Sequence, residues 1–121
     1  MRLHHLSVLV HDVPRCAAFY REVLGLPEVP CPRPGPAWFQ VGDALLMLEP
    51  CEEEPTVQEF REGRPGPCVL ALGIEPSDRA EWEEKLRGAG VAVVYSTDYT
   101  LYVRDPEGNR IGLSHYPFRA P

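Results

Sequence analysis

The chain has 121 residues, 44% of them hydrophobic and 25% charged, and its formal net charge at pH 7 is −6. That length holds one domain, or two small modules sharing one core, and can bury roughly two-thirds of its unfolded surface without staples. The acidic balance, with no basic stripe, argues against a nucleic-acid partner, and no apolar run approaches the ~20 residues of a membrane span.

Neutral or cationic small ligands suit such a field. The N-terminus reads directly as a strand, without the basic-then-apolar pattern of a secretory signal, so the expected location is the cytosol. Cys16, Cys31, Cys51 and Cys68 lack Cys-x-x-Cys spacing and are expected to act as small reduced hydrophobes. High proline and few amides are compatible with a thermophilic source or with a GC-rich genome.

Leu3 to Val10 is apolar and β-branched and predicts a buried strand. Alternation puts His5, Ser7 and Leu9 on one face, with Leu6, Val8 and Val10 on the other. Asp12 is a candidate N-cap and Pro14 fits a first helical turn, so a helix follows over Cys16 to Leu24 and ends at Gly25 and Pro27. Residues 27–36 hold five prolines, which leaves room for a short edge strand and no more. Trp38 to Val41 and Ala44 to Glu49 read as a hairpin around Gly42-Asp43. Pro50 to Pro67 is acidic and rich in proline and glycine, with a short helix expected at Thr56 to Glu62. Glu52, Glu53 and Glu54 form its solvated face.

The second half repeats the plan. A strand at Cys68 to Ile74 precedes a helix from Asp78 to Arg87, capped by Ser77 or Asp78. Strands are predicted at Val91 to Ser96, Tyr99 to Arg104 and Arg110 to His115, with Asp105-Pro106-Glu107-Gly108-Asn109 a strong turn. His5 meets Val69 at an offset of 64, and after a one-residue slip Phe19 meets Trp82 and Val23 meets Leu86. The boundaries are a first βαβββ module at 1–50, a linker at 51–67 and a second βαβββ module at 68–121, together one structural domain.

His5-Leu6-Ser7-Val8-Leu9-Val10, Phe19-Tyr20-Arg21-Glu22-Val23-Leu24-Gly25-Leu26 and Asp105-Pro106-Glu107-Gly108-Asn109-Arg110-Ile111 together resemble the vicinal oxygen chelate superfamily. That group includes glyoxalase I, extradiol dioxygenases, fosfomycin-resistance enzymes, methylmalonyl-CoA epimerase and bleomycin-resistance binding proteins. The resemblance implies an α+β fold in which two βαβββ modules curl a mixed sheet into a cup with helices outside. By analogy it also implies a homodimer.

In the superfamily's metalloenzymes, first and last strands of the modules supply the ligands of a divalent metal. Those positions fall on His5 and Glu49 in the first module, and on Val69 and Gly112 in the second, whose side chains cannot coordinate. A catalytic site of this kind needs three protein ligands and one open position. Cys68 and His115 stand one residue off the cup-facing parity.

Two functions follow. In the first, the protein binds a small apolar or aromatic molecule, with no cofactor or an incompletely ligated Zn, Ni, Mn or Fe. The pocket is then His5, Ser7, Trp38, Met47, Glu49, Val69, Tyr102 and Gly112. In the second, a divalent-metal lyase or dioxygenase uses His5 and Glu49 as ligands, with Glu49 the candidate catalytic carboxylate. A vestigial pocket filled by its own side chains is a third, blander outcome. Arg104 and Arg110 flank the turn and are expected to pair with Asp105 or Glu107.

Overall fold

The computed structural model describes residues 1–54 and 68–117. The helix expected at 56–62 lies outside them. The chain divides into two compact units, Met1–Val57 and Gln58–Pro121.

The first unit contains β1 (His5–Val10), α1 (Val13–Ala18), a π-type turn (Phe19–Val23), β2 (Glu28–Val29), β3 (Ala37–Val41) and β4 (Ala44–Pro50). Its sheet order is β1-β4-β3-β2, with β1 parallel to β4 and the other pairs antiparallel. Alternation sorts the strands into two faces. Val10, Ala37, Phe39, Leu46 and Leu48 are buried on one of them, with Leu6 and Val8 half-buried beside them. The helix-side residues Val13, Cys16, Ala17, Phe19, Tyr20 and Leu24 complete this core, where the Tyr20 and Phe39 rings lie 6.0 Å apart.

Asp12 caps α1 by accepting the Arg15 backbone N–H at 3.0 Å. The helix starts at Val13, directly after the Asp12 cap, with Pro14 in the first turn, where its missing donor is not needed. It then widens: Leu24 N–H donates to Phe19 O, five residues back, and Gly25 at φ +70° lets the chain turn out. Nearby, Arg21 donates to Glu28 at 2.9 Å and Glu22 at 3.2 Å, which holds its guanidinium pKa above the ordinary value.

The second unit contains β5 (Leu70–Gly73), a 3₁₀ turn (Pro76–Asp78), α2 (Arg79–Gly88), β6 (Tyr95–Ser96), β7 (Thr100–Arg104) and β8 (Arg110–Ser114). The sheet order β5-β8-β7-β6 repeats the first topology, again with the first and last strands parallel. Leu86, Leu101, Val103, Ile111 and Leu113 form its buried side. Each module is therefore βαβββ, and the fold class is α+β with two four-stranded mixed sheets.

Two local expectations are revised. Asp78 occupies the N-cap of α2 without a capping side-chain bond; Ser77 Oγ donates to its carboxylate at 3.1 Å. The preceding 3₁₀ turn does the capping work, with Asp78 N–H donating to Glu75 O. The predicted strand from Val91 shrinks to Tyr95–Ser96, because Val91 N–H is used to close α2 on Leu86 O at 2.9 Å. Gly90, at φ +71°, donates to Arg87 O in the same closing motif. Among the described residues no helix is long and apolar enough to cross a membrane.

Candidate functional site

Alternation gives each sheet a second face besides its buried aliphatic one, and in the first unit that face carries the exposed residues His5, Ser7 and Leu9. On the first unit the register brings His5 opposite Leu45, Ser7 opposite Met47 and Leu9 opposite Glu49, while Met47 also faces Trp38. Paired residues project to the same side. His5, Ser7, Trp38, Met47 and Glu49, all candidates from the sequence, thus share one face, and Ser7 Oγ lies 3.8 Å from Met47 Sδ. Leu9 lies among them and is 67% exposed. Phe39, by contrast, is fully buried on the helix side.

The Glu49 carboxylate is not left open. Arg33 Nη2 donates to both its oxygens, at 2.8 and 2.7 Å, and Trp38 Nε1 donates to one of them at 3.4 Å. The Glu49 side chain is 17% exposed and Arg33 56%. Arg33 comes from the proline-rich segment before β3, which carries no hydrophobic period, so sequence reading passed over it. A shallow depression of about 500 Å3 lies along that segment. Cys31, Arg33 and Pro34 line it; none of His5, Ser7, Trp38, Met47 or Glu49 does.

His5 and Glu49 share a face but are not neighbours. Glu49 lies four residues beyond Leu45, the partner of His5, about 13 Å along the strand at ~3.3 Å per residue. Two ligands of one ion, each about 2 Å from it, bring their donor atoms within roughly 4 Å. The His5 ring is instead engaged by its neighbour: the Nδ1 atoms of His4 and His5 lie 2.8 Å apart, so one carries the shared proton and the other accepts it.

On the second unit the open face carries Ala71 opposite Gly112, Gly73 opposite Ser114, Gly112 opposite Tyr102 and Tyr102 opposite Tyr95. Val69 lies just before β5, its Cγ2 3.5 Å from where a Cβ on Gly112 would stand. The Thr100 methyl is closer still, at 3.2 Å, so a side chain at 112 has little room. Thr100 and Ser114 hydroxyls bond each other at 2.8 Å.

The register also corrects the correspondence between modules. With Leu9 opposite Glu49 and Gly73 opposite Ser114, the counterpart of Glu49 is Ser114, while Gly112 answers to Met47. The family resemblance sets Gly112 against Glu49, two residues out of step, because proline-rich and turn segments of different length precede the two strands. The chemical outcome for the second module is unchanged: neither Ser114 nor Gly112 is a metal-binding side chain of the usual kind. Cys68 is exposed and outside the strand, and His115 packs edge-on against Tyr99 with centroids 5.7 Å apart.

Among the described residues no three His, Cys, Asp or Glu side chains cluster as a metal centre requires. With Glu49 held by Arg33 and Trp38, and no imidazole or carboxylate among the described residues of β5, β7 and β8 that share the Gly112 face, the residues described do not fit the superfamily's divalent ion.

Two tandem βαβββ units with the same strand order define the class of paired-module α+β proteins. Within that class, the chain belongs to the Glyoxalase/Bleomycin resistance protein/Dioxygenase superfamily, whose family model matches residues 2–113. None of the curated proteins matches it significantly. Among solved structures it is similar to a virulence protein from Salmonella typhimurium, with 26% identity, a TM-score of 0.74, and 97% of this chain and 98% of that chain covered. It is also similar to a glyoxalase/dioxygenase from Nostoc punctiforme, with 23% identity, a TM-score of 0.79, and 93% and 88% covered. A lactoylglutathione lyase from Agrobacterium tumefaciens shares 21% identity with a TM-score of 0.73, over 93% and 92% of the two chains.

Proposed function

We propose that this chain is a binding protein of the glyoxalase and bleomycin-resistance type, taking a small apolar or aromatic molecule on its open sheet faces without a complete metal site. The observation that carries this reading is the closure of Glu49 by Arg33 and Trp38. It neutralises the carboxylate that shares this face with His5, Ser7 and Trp38. What remains for a ligand there is the indole of Trp38, the thioether of Met47, the side chains of Leu45 and Leu9, and the polar handles Ser7 and His5. Apolar walls with few polar groups suit an uncharged ring better than a hydrated ion. By analogy with its superfamily the protein works as a homodimer, which sedimentation at several concentrations tests.

The test is a titration of isotope-labelled protein with 2-naphthol, followed by amide and indole N–H resonances. Shifts should centre on Ser7, Trp38 and Met47, and Trp38→Ala should weaken binding about tenfold through loss of ring contact. A ligand that leaves these resonances unmoved contradicts the reading. So does a divalent-metal-dependent reaction abolished by His5→Ala, which is the competing enzyme reading.

A further inference from the structure

The ion pair that closes Glu49 has a geometry of its own. Both short contacts, at 2.8 and 2.7 Å, come from one nitrogen, Arg33 Nη2, which straddles the two carboxylate oxygens. A guanidinium and a carboxylate pair best through two parallel N–H···O bonds, one nitrogen to each oxygen. Arg33 does not reach that arrangement. It stands between Pro32 and Pro34, and the following proline disfavours the helical backbone region for it. The tether brings the charge to the carboxylate without bringing the fork, and the Arg33 side chain stays 56% exposed.

Glu49 is the fixed partner. It stands on β4, between β1 and β3 in the sheet, and its side chain is 17% exposed. The Trp38 indole N–H steadies one oxygen at 3.4 Å. Leu9, its direct neighbour on β1, is 67% exposed, and Trp38 pairs with Met47 on the same face. A carboxylate so far removed from water calls for a cation, and apolar surface surrounds the place where that cation sits.

We infer that Glu49 anchors a site for an aromatic amidinium or guanidinium, and that Arg33 is a tethered placeholder which such a ligand displaces. The free cation turns until both N–H groups face the two oxygens, while its ring lies on Leu9, Trp38 and Met47. Those ring contacts belong to the small-molecule reading above, on which this assignment rests; the charged head is what it adds. Displacement costs little. With the arginine more than half in water, the pair is worth at most about a fivefold change in affinity. The displaced guanidinium moves into solvent, and the chain's net charge of −6 draws organic cations toward it.

The experiment titrates the intact isotope-labelled protein with 2-naphthamidine, with 2-naphthol as the neutral ring and acetamidine as the ringless cation. 2-Naphthamidine should shift the Trp38 indole and Arg33 Nε–H resonances. Arg33→Ala should tighten 2-naphthamidine by up to about fivefold and Arg33→Lys by less, while Arg33→Ala weakens 2-naphthol. Opposite changes for the charged and the neutral ring cannot come from a damaged face, which would weaken both. Adding Glu49→Gln to Arg33→Ala should remove the gain. Unchanged or weaker 2-naphthamidine binding in Arg33→Ala overturns this assignment and leaves the broader binding reading standing. Acetamidine matching 2-naphthamidine overturns it too, by reducing the site to a bare ion pair. Failure of both aromatic probes overturns both.

Discussion

At the scale of single residues, Glu49 shows how one contact redirects chemistry. The family resemblance singled out Glu49, and strand parity set His5 and Ser7 on one face. Neither pointed to the partner of Glu49. Arg33 sits in a run of prolines with no period to say which way a side chain turns. The ion pair is more than half exposed on the arginine side, so it stabilises little: Arg33→Ala should change unfolding free energy by less than about 1 kcal/mol in a denaturant titration. Its consequence should instead be chemical, a Glu49 carboxylate left to solvent and measurably weaker 2-naphthol binding. Fully buried Phe39 behaves oppositely. Phe39→Ala leaves a cavity against Tyr20 and should cost about 3–5 kcal/mol in the same titration.

At the scale of elements, the sequence announced every strand and both α-helices of the described residues, because caps, prolines and alternation agree locally. Asp12 before Pro14 predicted the start of α1, and Asp12→Ala should lower stability by about 1 kcal/mol, read by thermal or chemical unfolding. Gly90 closes α2 in the left-handed region at φ +71°. Gly90→Ala should cost roughly 1–2 kcal/mol for that conformation, and Gly90→Asn should cost less. Pairing register was harder to read. A shift of two residues keeps side-chain parity, so no hydrophobic pattern could reveal that Gly112 answers to Met47 rather than to Glu49. The widened turn at Phe19–Val23 was likewise silent, since it changes hydrogen-bond partners without changing which residues are buried.

At the scale of the whole molecule, one topology is written twice and equipped differently. Both units order their strands alike and bury an equivalent aliphatic side. Their open faces diverge: indole, thioether and a closed carboxylate–guanidinium pair on one, small residues with tyrosines and arginines on the other. Family membership follows from the repeat and its turn signatures, which are fold-level signals. The metal question does not follow from them, because it depends on where individual donors point. Metal content of protein purified without chelators tests the central claim most directly. The account expects far less than one equivalent of Fe, Mn, Ni or Zn per chain; one tightly retained equivalent, lost on replacing His5 or Glu49, would contradict it.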